Sequence, residues 1–240
     1  MKERYFYKLK TIFNWISDDW KRVKNHCRTT DNKNFTYKNA TDTFKRKLLI
    51  SEHSPIRLLE FDWSWKGIAY WLSTEWSRHK FEKFISSQRD DRLKDEIPRA
   101  EKPQGALVNF DGYANMQNLI DAWRKRLCYQ ATYEARNLAY DFKARLEITN
   151  PIEANVLVPN CIYRSGCPEF TPCGLWDRFI NFCIDYYIEN NIINADDMCF
   201  DAHGETLKRL TDIQERYDMF TKFCESKIYF ANGVDIKDEM

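Results

Sequence analysis

The stretch IRLLEFDWSWKGIAYWLSTEWSR constrains the fold most. Its first part, residues 56–65, is rich in β-forming residues and ends near Gly67, which reads as a strand. Its second part, residues 68–78, reads as a helix. A chain that passes from strand to helix within so few residues belongs with the mixed α and β architectures. The helix ends on Arg78 and His79, where the helix dipole favours positive charge.

The rest of the chain fills in that frame. Residues 5–24 place Phe6, Leu9, Ile12, Phe13, Ile16 and Trp20 at helical spacing, and a helix is expected there. Residues 28–39 are polar and read as a loop. Thr41 and Asp42 cap a short helix reaching Ile50. Residues 90–105, with Pro98 and Pro103, read as a charged loop, and residues 106–114 as a short strand. A helix over 115–127 collects Met116, Leu119, Ile120, Trp123 and Leu127 on one broad face. Further helices are expected over 132–146, 175–190 and 205–229, with a loop starting at Asn150-Pro151. The last helix carries Leu207, Leu210, Ile213, Tyr217 and Phe220 at a spacing suited to core or subunit packing. The expectation is one α+β domain with helical additions at both ends.

Composition narrows the function classes. Lys+Arg 37 against Asp+Glu 36 argues against wholesale binding of nucleic acid or a membrane surface. Only 7 glycines are present, and neither GxGxxG nor GxxxxGK[ST] occurs. No apolar run approaches a membrane span, and the charged N-terminus does not read as a signal peptide. The 8 cysteines read as reduced thiols of a cytoplasmic protein.

Two clusters are candidates for chemistry, with a solvated helix terminus and a salt-bridged surface helix as their respective alternatives. In STEWSRHKFEKFISSQRDDR, Arg78, His79 and Lys80 supply a planar fork, a flat ring and a point charge. Ser87, Gln88 and Arg89 add hydroxyl, amide and guanidinium groups of the kind that a nucleotide phosphate or base edge requires. In NMQNLIDAWRKR, Asn115 and Arg126 stand eleven residues apart. At about 100° per residue they share a face, separated by about 16 Å, so one face could touch both ends of a long ligand. Cys161, Cys167 and Cys173 recur at wider spacing than zinc ligands usually show, with Cys199 and His203 further on. Buried or loop thiols are the preferred reading, and no metal is expected. No Ser-His-Asp or Cys-His nucleophile arrangement is present.

These residues resemble the flavin-dependent thymidylate synthases. STEWSRHK with the following Ser-Gln-Arg is similar to that family's R-H-R-x7-S signature, and NMQNLIDAWRKR to its Asn-x-Arg-Ser-Leu…Arg helix. A His-Ser-Pro turn at His53 precedes them in the same order, and Glu134 in TYEAR is similar to the family's QWEIR. RKRLC (residues 124–128) and PNCIYRSGCPE (residues 159–169) resemble phage-type members. The likeness covers residues 48–146, leaving residues 1–40 as an N-terminal helical extension and 147–240 as C-terminal loop and helices of the single domain. The chain departs from the pattern in several places. The triplet is RHK, and Ser87 follows it one residue early, so that x7 falls on Gln88. Glu75 stands for a Gln near the base, Asp121 for an Asn, and Gln117 for an Arg. Arg99 takes the place of an Arg that holds the nucleotide phosphate.

The resemblance implies FAD held by His53, Arg78, His79, Lys80, Asn115, Gln117 and Asp121. It implies a nucleotide held by Glu75, Ser87, Gln88, Arg89, Arg99 and Arg126. Arg126 is then the catalytic group, polarising the base. NADPH and methylenetetrahydrofolate are the implied co-substrates, and a homotetramer, with sites built between subunits, the implied assembly. The expected reaction is one-carbon transfer to dUMP, in the cytoplasm (of a host, if the chain is phage-encoded). Two alternatives stay open. Glu75 and Asp121 replace amide donors with acceptors, which suits dCMP hydroxymethylation or methylation. A non-catalytic, zinc-stabilised binding module is the other.

Overall fold

The N-terminal stretch TIFNWIS is a strand, β1 (Thr11–Ser17), and not part of the helix expected over residues 5–24. A bulge explains the misleading pattern. Phe13 pairs with Trp63 and Trp15 with Asp62, so Asn14 is an extra residue in the ladder. The bulge breaks the two-residue alternation and spaces Phe13, Ile16 and Trp20 as a helix would. The computed structural model describes residues 10–93, 97–193 and 201–226, so the start of that expected helix lies outside the described residues. The chain divides into two compact units: residues 1–122 with 134–154, and residues 123–133 with 155–240.

In the first unit, Asp19 accepts from the Arg22 N–H and starts α1 (Trp20–Thr30). Thr41 caps α2 (Asp42–Ile50), as expected from its sequence. A 3₁₀ turn (Ser54–Leu58) with Pro55 in its first turn leads into β2 (Glu60–Ala69). This strand begins later than residue 56 and runs past Gly67, where a second bulge and a positive φ of 66° absorb the glycine. Then follow α3 (Tyr70–Trp76), β3 (Glu82–Ile85), α4 (Asp90–Leu93), a second 3₁₀ turn (Arg99–Glu101) and β4 (Leu107–Asn115). The strand β3 and the two short helical turns lie in stretches for which the sequence reading named no regular structure. The helix α5 (Met116–Arg126) continues from β4 and ends in the second unit. α6 (Tyr133–Thr149) and α7 (Pro151–Asn155) follow with only Asn150 between them, so Asn150-Pro151 opens a helix where a loop was expected. Pro151 suits the first helical position, where its missing N–H costs nothing.

The sheet is antiparallel throughout, in the order β1-β2-β4-β3. Its inner face carries Phe61, Trp63 and Trp65 from β2 and Val108, Phe110, Gly112 and Ala114 from β4, all buried. Trp63 meets Phe81 at 5.2 Å and Phe142 of α6 at 5.3 Å, both edge to face, and Trp65 meets Trp76 at 4.7 Å. Burying each such ring stabilises the unit by about 2–3 kcal/mol. Gly112 is required by this packing, because a Cβ there would sit 2.3 Å from the Trp63 ring. Two polar ties fix β1: the Trp65 Nε1–H donates to Thr11 Oγ1 at 2.9 Å, and the Thr11 N–H donates to the Asp141 carboxylate.

The second unit is helical: α8 (Asn160–Arg164), α9 (Leu175–Glu189), α10 (Ala202–Arg209) and α11 (Ile213–Glu225). The helix expected over 205–229 is two helices, and its last residues lie outside the described residues. Asp212 breaks it, accepting from the N–H groups of Gln214 and Glu215 to start α11. Buried Arg216 then closes the corner, donating to the carbonyls of Ile162, Leu210, Thr211 and Tyr163. Phe223 packs on Phe182 at 5.3 Å and on Phe179 at 5.9 Å. Among the described residues, no helix is long and apolar enough to cross a membrane.

Candidate functional site

Three chain segments meet at one end of the sheet in the first unit. Glu60, at the start of β2, pairs with Asn115, the last residue of β4. The Leu59 carbonyl accepts from the Met116 N–H at 2.9 Å, locking the junction of β4 and α5 onto the same place. Glu82, the first residue of β3, pairs with Tyr113. The Arg78-His79-Lys80 triplet and the first turn of α5 adjoin these pairs in sequence, and the Gln117–Glu52 hydrogen bond ties the His53 turn to the same place. The sheet register therefore gathers His53, Arg78, His79, Lys80, Asn115, Gln117 and Asp121 around one end.

Each is held in a specific way. Asn115 caps α5, its Oδ1 accepting from the Asn118 N–H at 3.0 Å, which leaves its NH₂ group the donor side of the amide. Gln117 donates through Nε2 to Glu52 at 2.6 Å and to Asp121 at 3.3 Å. Glu52 itself adopts a left-handed backbone, φ 49°, which turns the chain into His53. His53 is exposed at the entry to the 3₁₀ turn, its N–H bonded to the Leu48 carbonyl. The His79 ring is half-buried between Trp76 at 5.7 Å and Phe81 at 5.6 Å, while Arg78 and Lys80 stand exposed on either side of it. Lys83 Nζ donates to the carbonyls of Ser77 at 2.9 Å and His79 at 3.3 Å, fixing the backbone that presents the triplet.

The outer face of the sheet at this end is acidic and hydroxylated. Burial, reinforced by Glu60 accepting from the hydroxyl and by nearby Asp62, pushes the Tyr113 phenol above its ordinary range. Further along, burial pushes the Asp111 carboxyl up, but hydrogen bonds from Ser64 and Lys66 outweigh it and hold the group below its ordinary value. Lys66 Nζ is 2.9 Å from it.

The second expected cluster lies at the other end of β3. Four residues of strand, roughly 13 Å, separate it from the triplet. Ser86 pairs with Asn109 there: its N–H donates to the Asn109 carbonyl at 2.9 Å, and its Oγ accepts from the Asn109 N–H at 3.0 Å. Ser87 Oγ accepts from the Arg89 N–H at 3.2 Å, a hydroxyl turn that orients the next residues. The Arg89 guanidinium grips Asp91 through two bonds of 2.9 and 2.7 Å. Gln88 is half-buried, and Arg99 is exposed, its N–H donating to Asp90 Oδ1 at 2.8 Å. Glu75 is half-buried on α3. Arg126 ends α5 and belongs to the second unit, where it is half-buried.

Sequence reasoning missed Glu52, Lys83 and Asn109, which position the others. A Glu directly before the His-Ser-Pro turn was the one available signal; Lys83 and Asn109 act through backbone contacts that leave none. Of the cysteines weighed for zinc, Cys161, Cys167 and Cys173 fall in the second unit, and Cys199 lies outside the described residues. No group of three or more His, Cys, Asp or Glu among the described residues is placed to hold a metal ion.

The donor chemistry at the first end fits a dinucleotide with two phosphates. Exposed Arg78 and Lys80 supply charge, Asn115 supplies amide donors, and His53 supplies an exposed ring. His79 is anchored by its aromatic neighbours and offers only the part of its ring that they leave uncovered.

No protein-family profile matches the chain, and no curated protein matches it in sequence. Among solved structures, it is similar to thymidylate synthase X from Helicobacter pylori, whose crystal structure was determined with FAD and dUMP. The TM-score is 0.52 at 16% identity, covering 64% of this chain and 98% of that one. At that identity the likeness is one of fold.

Proposed function

We propose that this chain is a flavin-dependent enzyme that transfers a one-carbon unit to the pyrimidine ring of dUMP, a divergent thymidylate synthase. One observation carries the reading. In a fold similar to thymidylate synthase X, the register of β2, β3 and β4 gathers the His53 turn, Arg78-His79-Lys80 and Asn115 at one end of the sheet.

FAD bound there supplies hydride transfer, with NADPH as reductant and methylenetetrahydrofolate as carbon donor. The protein's part is binding and orientation. Arg78 and Lys80 neutralise the cofactor's phosphates, and Asn115 donates to it from the α5 cap. The Glu52–Gln117–Asp121 chain fixes the first turn of α5 against the His53 turn. Ser87, Gln88, Arg89 and Arg99 hold the nucleotide. Their distance from the triplet along β3 suits a second phosphate-bearing ligand. Arg126 donates to the base and stabilises the negative charge that develops as the ring is activated. A homotetramer completes the reading.

The test is the visible spectrum of purified protein after incubation with FAD and desalting, followed by turnover with dUMP and with dCMP. A retained oxidised-flavin band and conversion of dUMP are expected. Absence of bound flavin with nucleotide present would overturn the proposal. A stoichiometric metal without flavin would favour a binding module instead.

A further inference from the structure

We infer that Cys128 and Cys173 form a redox-active dithiol that closes to a disulfide on exposure to a hydroperoxide. Their Sγ atoms lie 3.7 Å apart in the second unit, although 45 residues separate them in sequence. A disulfide needs about 2.05 Å, so closure asks for under 2 Å of approach, within reach of side-chain rotation.

The pair is held in place from both sides. Lys125 Nζ meets Glu169 Oε1 at 2.9 Å, and Gln130 Nε2 donates to the Thr171 carbonyl at 2.9 Å. These two ties staple residues 125–130 to residues 169–171, and Cys128 lies between Lys125 and Gln130. The Arg178 guanidinium, one turn into α9, lies 5.9 Å from the Tyr129 ring and adds a third link.

The two sulfurs are not equivalent, which separates this pair from two thiols that merely pack. Cys173 is the residue before Gly174, which precedes the fifteen-residue helix α9. A thiolate at a helix N-terminus is stabilised by the dipole and by the first N–H groups. Contact with the Cys128 thiol and the N–H groups of Leu175, Tyr129 and Cys173 itself pull the Cys173 thiol below its ordinary value, against the opposing effect of burial. Contact with Cys173, and then burial, raises the Cys128 thiol above its ordinary value. Cys173 is partly exposed, whereas Cys161, Cys183 and Cys224 are buried. Burial raises Cys161 to about 12, leaving that thiol unreactive.

The chemistry balances in two steps. The Cys173 thiolate attacks one oxygen of hydrogen peroxide, the O–O bond breaks, and the departing hydroxide takes a proton to leave as water. Cys173 is then a sulfenic acid. The Cys128 sulfur attacks it, the S–O bond breaks, and the oxygen leaves as a second water carrying the Cys128 proton. Two thiols have been oxidised and one peroxide reduced.

The full-length protein is reduced, freed of reductant without air, and treated with one equivalent of hydrogen peroxide. Free thiols and zinc are then counted and the peptides mapped by mass spectrometry. The expected result is loss of two of the eight thiols per chain and one cross-linked peptide pair joining Cys128 to Cys173. In Cys128→Ser, dimedone should trap a sulfenic acid at Cys173; in Cys173→Ser, no thiol should be lost at this dose. The wild-type peptide map decides alone if either variant fails to fold. Retention of all eight thiols, oxidation at other positions, or stoichiometric zinc released by the peroxide would each overturn the inference.

Discussion

Gln117 and Glu52, 65 residues apart in sequence, meet through a 2.6 Å hydrogen bond that joins the first turn of α5 to the turn before His53. The acceptor is a carboxylate, so the bond belongs to the stronger, charge-assisted class. The bond is part-buried, and a hydrogen bond to a charged group contributes about 1.5–3 kcal/mol. Gln117→Ala and Glu52→Ala should each destabilise the protein in urea titrations. The double variant should lose clearly less than the sum of the two, with a coupling of about 1 kcal/mol. Strict additivity would mean that the two side chains do not interact. If the site reading holds, Gln117→Ala also weakens flavin retention, because His53 and Asn115 lose their common brace.

Gly112 gives a sharper test of the core. Its missing Cβ makes room for the Trp63 ring, and the obstruction is a rigid, fully buried indole. Gly112→Ala should therefore cost about 1–3 kcal/mol by overpacking, although alanine normally suits a strand better than glycine. Trp63→Phe should recover part of the loss in the double variant, since the smaller ring vacates that space. Equal stability of Gly112→Ala and wild type would mean that the ring lies elsewhere.

Sequence patterning made some elements legible and failed at others, for identifiable reasons. β4, α5, α6 and α9 follow clear periodicities, and Thr41 announces α2. β1 was hidden because the bulge at Asn14 gives a strand the spacing of a helix. The split between α10 and α11 was written in the sequence as Asp212 three residues before Glu215, a capping pattern that the surrounding apolar periodicity obscured. β3 is only four residues long, with three of them exposed, and has no hydrophobic signature. At the site, the ionic and amide residues could be picked out by type. Their separation along β3 depends on strand pairing, and the bracing by Glu52 and Lys83 on side-chain contacts that have no sequence signature of their own.

Glu153 makes the stability depend on pH. Burial dominates and raises its carboxyl above the ordinary 4.5, against a hydrogen bond from Trp20 Nε1 and attraction from Lys45, with Asp18 adding to the rise. A raised folded value means that the native state prefers the protonated acid. Its contribution is fully present below the unfolded value and is lost as pH rises through the folded one. Glu153→Gln keeps an acceptor for Trp20 without the buried charge. The variant should melt at a higher temperature than wild type at pH 7, and the gap should close as pH falls towards 4. A gap independent of pH would assign the effect to packing.

Glu75 and Arg126 test the chemistry of the proposed reaction. Arg126→Ala should reduce turnover of dUMP by at least ~100-fold, the scale of losing a preorganised charge donor, while leaving the flavin band intact. That split between cofactor retention and catalysis distinguishes a base-polarising group from a structural one. Glu75 is an acceptor where a base bearing an acceptor oxygen would want a donor. If Glu75 faces the pyrimidine, wild type should favour dCMP relative to Glu75→Gln, and the substitution should move the kcat/KM ratio towards dUMP by about tenfold, the worth of ~1.4 kcal/mol. An unchanged ratio would place Glu75 away from the base and leave substrate choice to the residues around Arg126.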